Sequence, residues 1–206
     1  MKRLIFIFIG FMFIFSSCVK KADRESSSSD KPSNACGDDV DNTIHISATK
    51  AYNDEDYYKA LYLYKKSCAI NYTPSCNYLA YFHYSGKIVE KDIKKAFNIY
   101  FQSCQSGDSI GCFNTANMLR AGEGMEKKDE ELAVSFYKNN CQNDHYKSCF
   151  NLGVMYHKGK GVEKDIEKSK SYFQKACGGG VGLACKNFYL IESKNVKYLP
   201  NLRKED

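Results

Sequence analysis

Residues 149–177 read Cys149-FNLGVMYHKGKGVEKDIEKSKSYFQKA-Cys177, and the chain upstream repeats that stretch twice. The copies are Cys76-NYLAYFHYSGKIVEKDIKKAFNIYFQS-Cys104 and Cys112-FNTANMLRAGEGMEKKDEELAVSFYKNN-Cys141. Gly86, Gly122 and Gly159 fall in register, as do Ala80, Ala116 and Gly153, and the rings Tyr100, Tyr137 and Phe173. The one extra residue of the middle copy sits near Lys127-Lys128, where a surface loop tolerates insertion. Four cysteine pairs punctuate the pattern: Cys68/Cys76, Cys104/Cys112, Cys141/Cys149 and Cys177/Cys185. Their spacing of seven intervening residues never changes, and the pairs recur every 36 or 37 residues. A fixed period of this size defines a repeat protein.

Each unit reads as two short helices. From Cys149, residues Leu152, Gly153 and Tyr156 lie at the spacing of one buried helix face. Gly159 stops that helix, because glycine accepts the left-handed conformation a helix end needs. Asp92, Asp129 and Asp165 are placed to cap the second helices. Small residues and rings then alternate as Ala96, Tyr100, Cys104 and Ala133, Tyr137, Cys141. Each pair has one cysteine ending a second helix and one entering the next first helix, so a bridge staples neighbouring repeats. The expected fold is all-α, a right-handed α/α solenoid of helix-turn-helix repeats, each stapled by a C-x7-C disulfide. The solenoid spans residues 40–193, with Ile44–Tyr52 and Glu55–Cys68 as an atypical first pair and Cys185–Ile191 opening a last helix. Residues 194–206 form a polar, basic tail.

The start of the chain is a targeting signal. Lys2 and Arg3 precede an apolar run, Leu4–Phe15, that is too short to span a bilayer as a helix. Ser16-Ser17-Cys18 follows, and this resembles the lipobox of bacterial lipoproteins. The resemblance implies a signal peptide over 1–17 and a lipidated cysteine at Cys18. It implies a membrane partner through that lipid, in the bacterial cell envelope facing the periplasm or surface, or release to the outside. Residues 18–39, with Ser26-Ser27-Ser28-Ser29, read as a flexible tether. Export favours disulfides over metal chemistry for ten cysteines. Zinc needs closer ligand pairs, and the four histidines (His45, His83, His145, His157) do not follow the repeat, so no metal and no cofactor is expected. Cys36 is left over, either as a free thiol or as an intermolecular bridge in a dimer.

The string from Leu152 to Cys177 resembles a Sel-one-like repeat, the shorter relative of the tetratricopeptide repeat. With a C-x7-C pair in every unit and an export signal, the chain is similar to the Helicobacter cysteine-rich protein family. Ile88 departs from the second loop glycine seen at Gly124 and Gly161, and Ser169 from the alanine seen at Ala96 and Ala133. The resemblance implies either a protein-interaction scaffold or a beta-lactam-binding or beta-lactamase activity, the label carried by many similar sequences.

A serine beta-lactamase needs S-x-x-K supported by S-D-N and K-T-G elements. Ser47–Lys50 and Ser135–Lys138 match the first element, with further copies at Ser17–Lys20 and Ser28–Lys31, a frequency chance explains, and the other two elements do not occur. Binding has a more regular signal. Two residues after the second cysteine of each pair stand Tyr78, Asn114, Asn151 and Asn187, and one turn on come Tyr81, Asn117 and Val154. Amides and rings repeated along one face suit a peptide main chain. The competing reading is that these asparagines satisfy backbone groups near helix starts. The partner expected is therefore a peptide or protein, with a passive envelope protein as the remaining alternative. The formal charge is +6, and +4 without Lys2 and Arg3 (6 minus 2), with lysines interleaved among acids. That pattern reads as a solvated face and not a nucleic-acid stripe.

Overall fold

The computed structural model describes residues 35–195, with side chains described over 42–193. Nine helices and no strands occur among the described residues. They are α1 (Ala35–Asn53), α2 (Tyr57–Ala69), α3 (Thr73–Ser85), α4 (Ile93–Gln105), α5 (Ser109–Ala121), α6 (Glu130–Gln142), α7 (Tyr146–Lys158), α8 (Ile166–Gly178) and α9 (Gly182–Asn195). The chain divides at Val40/Asp41 into two units. Of the first, the helical backbone of residues 35–40 is described, so Cys36 lies on helical backbone. Cys18 lies outside the described residues. The second unit is an α/α solenoid in which each helix from α2 onward packs on the next.

The loops between first and second helices follow the sequence reading. Gly86, Gly122 and Gly159 end α3, α5 and α7 in the left-handed conformation, at φ 66°, 76° and 66°. Asp92, Asp129 and Asp165 accept from the backbone N–H of Lys95, Leu132 and Lys168 at 2.8, 2.9 and 2.9 Å. Each satisfies an orphan donor of a first turn.

The turns between repeats carry a second device. Asn71, Gly107, Asp144 and Gly180 each stand three residues after the first cysteine of a pair, and all have positive φ. The N–H groups of Tyr72, Asp108, His145 and Val181 then reach back to the carbonyls of Ser67, Ser103, Asn140 and Ala176 at 3.0–3.2 Å. This six-to-one closure is the Schellman motif, and only glycine, asparagine or aspartate enters it at little cost. The four disulfides close over these turns, with Cα–Cα distances from 4.3 to 4.8 Å. They join α2 to α3, α4 to α5, α6 to α7 and α8 to α9.

Rings from the second helices fill the core. Tyr64, Tyr100, Tyr137 and Phe173 are buried, each in a cluster with small residues such as Ala60, Ala96, Ala133 and Ala176. The unusual Ser169 is buried and donates to the Gly153 carbonyl at 2.8 Å. Gly153 is matched to it: a Cβ there would meet the Phe173 ring at 2.8 Å. Thr115, which replaces a leucine, is fully buried with an unpartnered hydroxyl. An orphan of that kind costs about 1–3 kcal/mol.

Candidate functional site on the first-helix face

The first helices of successive repeats lie side by side, and α3 touches α5 directly. In a helical solenoid these helices line the concave face. Two grooves open along it, with a polar junction between them.

The first groove, of about 510 Å³, lies among α1, α3, α4 and α5. Tyr52, Tyr78, Tyr81 and Tyr100 supply its aromatic walls, Ile110 and Pro74 its aliphatic surface, and His45, Asn77 and Asn114 its polar groups. The Tyr78 ring stacks on Tyr64 at 4.5 Å, nearly parallel, and lies 5.7 Å from Tyr52. Offset stacking of this kind holds a ring in place while one face stays available. Tyr81 is exposed. His45 shares a hydrogen bond with Ser75 at 2.9 Å and packs against the rings of Tyr64, Tyr72 and Tyr78. Burial pushes the His45 pKa down, so the imidazole stays neutral at pH 7. Burial likewise raises the phenols of Tyr52 and Tyr100, and pushes Tyr64 up to about 12. The rings of Tyr52, Tyr64 and Tyr100 are therefore neutral.

Asn77 ties the groove to the next repeat. Its Nδ2 donates to Asp108 Oδ1 at 2.7 Å, and the same carboxylate oxygen accepts from Gly111 N–H at 2.6 Å to cap α5. A carboxylate only accepts, which fixes the orientation of the Asn77 amide. Its Oδ1 is buried and takes no hydrogen bond.

The second groove, of about 560 Å³, lies among α7, α8 and α9 and the loop before α8. Val154, Ile166, Phe173, Leu190 and Ile191 make it apolar. His157, Lys158 and Lys164 give it a basic edge, and Asn187 is its amide.

Between the grooves, Asn151 Nδ2 donates to Asn117 Oδ1 at 3.1 Å, and the Tyr137 hydroxyl donates to the same oxygen at 2.6 Å. The six residues singled out for binding thus separate by position. Tyr78, Tyr81 and Asn114 share the tyrosine groove, and Asn187 lines the apolar one. Asn117 and Asn151 pair with each other across repeats. His45, Tyr52, Asn77 and Tyr100 were not singled out. His45 and Tyr52 lie outside the repeated pattern, Asn77 has phenylalanines at its equivalent positions Phe113 and Phe150, and Tyr100 reads as a core ring in register with Tyr137 and Phe173. The usable signal was the density of tyrosines over residues 52–100.

The S-x-x-K serines among the described residues, Ser47 and Ser135, stand elsewhere. Ser47 on α1 is exposed and donates to the Thr43 carbonyl at 2.9 Å. Ser135 on α6 is exposed and donates to the Leu132 carbonyl at 2.7 Å. Neither lines either groove. Among the described residues, no group of three or more His, Cys, Asp or Glu side chains is placed to hold a metal ion. No described helix is long and apolar enough to cross a membrane.

Eight described helices, α2 to α9, joined by four staples, with open grooves on the first-helix face, define a helical-repeat scaffold. The Sel1 repeat pattern matches residues 54–72, 73–108, 109–143 and 147–181, which is more than half of the chain. The chain belongs to the Sel1 repeat family. It is similar in structure to a Sel1 repeat protein from Oxalobacter formigenes, with a TM-score of 0.68 and 24% identity, covering 73% of this chain and 61% of that one. It is also similar to cysteine-rich protein B of Helicobacter pylori, with a TM-score of 0.50 and 27% identity, covering 64% of this chain and 94% of that one. In sequence it is 33% identical over 81 residues to cytochrome c oxidase assembly factor 7 of Xenopus tropicalis, covering 38% of this chain. That match spans 35% of the relative's length.

Proposed function

We propose that the chain is an exported, lipid-anchored scaffold that binds an extended peptide or protein segment along its first-helix face. The observation that carries this reading is the tyrosine groove, where four rings and two side-chain amides converge on a space of about 510 Å³. Rings offer apolar contact at low entropic cost, and amides bond main-chain groups whatever the peptide sequence. Asn114 is the amide best suited to that role, because its neighbours Asn117 and Asn151 serve the junction. Export is supported by the four disulfides, which persist in oxidising compartments, and by the Lys2-to-Cys18 signal. The lipid on Cys18 would hold the scaffold at the bacterial envelope, facing the periplasm or the surface.

Backbone NMR of the oxidised protein, titrated with a pool of randomised octapeptides, tests the reading. The expected result is resonance shifts for Tyr78, Tyr81 and Asn114, with none for Tyr62 on the exposed flank of α2. Shifts confined to residues off the first-helix face would overturn it. Export is tested separately, by metabolic labelling with a fatty acid: Cys18→Ala should abolish incorporation.

A further inference from the structure

We infer that the tyrosine groove is a receptor for a cationic side chain, that of an arginine or lysine carried by the bound peptide. The inference rests on the peptide-binding reading above and adds the chemistry of the anchor residue.

The electrostatics of the lining point one way. The walls are the rings of Tyr52, Tyr78, Tyr81 and Tyr100, whose faces carry the negative lobe of the ring quadrupole. No lysine or arginine lines this groove, whereas the apolar groove at the other end carries Lys158 and Lys164. His45 adds no opposing charge, because burial keeps it neutral.

The unpartnered acceptor is the second observation. Asn77 is 7% exposed, lines the groove, and leaves Oδ1 without a hydrogen bond. A buried acceptor without a donor is costly, and a ligand N–H relieves that cost. The Asp108 carboxylate behind Asn77 polarises the amide so that Oδ1 becomes more negative. A guanidinium or ammonium brings several N–H donors and a charge that aromatic faces attract. An aliphatic or acidic side chain would leave Oδ1 unpaired, and an acidic one would also face the ring π clouds.

The same part of the protein already makes one such contact. Lys87 Nζ sits 4.2 Å above the ring of Tyr57, and Tyr57 packs edge-on against Tyr52.

The test uses two octapeptide pools, identical except that one fixed central position is arginine in the first and norleucine in the second. Binding to the full oxidised chain is read by fluorescence anisotropy. The expected result is an arginine pool that binds about fivefold tighter, the scale of a partly desolvated cation–π contact. Ile110 is 52% exposed at the edge of the groove, so charge is introduced there without disturbing the core. I110K should remove the preference and I110E should enlarge it, while both variants keep the parental melting temperature. Equal binding of the two pools, with no response to either Ile110 variant, would overturn the cationic receptor and leave peptide binding intact. Binding of neither pool would overturn both readings.

Discussion

Asn151 on α7 donates its side-chain amide to Asn117 on α5 at 3.1 Å, and the buried Tyr137 hydroxyl meets the same oxygen at 2.6 Å. One asparagine therefore gathers two neighbouring repeats and the core ring between them. Asparagines that look equivalent in the repeat do different work: Asn117 and Asn151 hold the solenoid together, whereas Asn114 faces a groove.

That division gives a direct prediction. Asn117→Ala removes the acceptor shared by the Tyr137 hydroxyl and the Asn151 amide and should lower stability by about 1–3 kcal/mol. Asn114→Ala should leave stability within about 0.5 kcal/mol and instead weaken peptide binding. Urea unfolding of both variants, beside anisotropy with the arginine pool, separates the two effects. Equal loss of stability in both would remove the distinction.

The loop glycines differ in a way that substitution exposes. Gly161 has φ +64°, and a Cβ there would clash with the Glu130 carbonyl on the preceding repeat. Gly180 has φ +85° with nothing within 4 Å. Gly180→Ala should cost only the left-handed penalty, about 1–2 kcal/mol. Gly161→Ala adds a backbone clash and should cost clearly more, by the difference in urea midpoint between the two variants. A larger loss at Gly180 would contradict the packing of this loop.

Much of this was legible in the chain because the repeat is written three times. Gly86, Gly122 and Gly159 mark the helix ends, the aspartates mark the caps, and the cysteine spacing marks the staples, all where the structure has them. The Schellman turns were also written there, as Asn71, Gly107, Asp144 and Gly180 three residues after each first cysteine. Mixed residue identity concealed them, although backbone φ treats the three types alike. Helix α1 was harder. Helical backbone extends from Ala35, upstream of the Ile44 start read from the apolar pattern, because Asp38–Asn42 carries almost no apolar period. The tyrosine groove was legible only in part. Periodic positions found Tyr78, Tyr81 and Asn114, but His45 and Tyr52 come from α1, which lies outside the repeated pattern. Their convergence is tertiary.

The histidines set a pH window. Burial pushes His45, His83 and His145 below the ordinary 6.5, so each is held neutral in the fold while the unfolded chain binds a proton more readily. Stability from these groups is full above about pH 6.5 and declines as the pH falls through that value, because the unfolded state gains protons first. Asp165 acts in a lower window. Hydrogen bonds from the Lys168 backbone and side chain hold its carboxyl below the ordinary 3.8, so its contribution fades only as the pH falls through the carboxylate range. Urea midpoints measured between about pH 8 and pH 3 should therefore fall in two steps. His45→Gln should shrink the upper step, leaving the part from His83 and His145, and an unchanged profile would show that His45 does not report folding.

The staples should dominate stability, although their turns are already shaped without them. Each bridge closes a loop of about nine residues, which in the chain-entropy model contributes at most roughly 2.5 kcal/mol. The left-handed residue inside each loop forms its Schellman turn from backbone bonds alone, so reduction should leave the helix ends intact. What reduction frees is the unfolded chain, and its added entropy lowers the melting temperature. A phosphine reductant should lower the transition by at least about 10 °C, since each kcal/mol moves a domain of this size by about 2–4 °C. The far-ultraviolet helical signal below the transition should persist. Loss of helix on reduction at low temperature would mean that the bridges, and not the Schellman turns, shape the junctions. An unchanged transition would mean that they stabilise nothing.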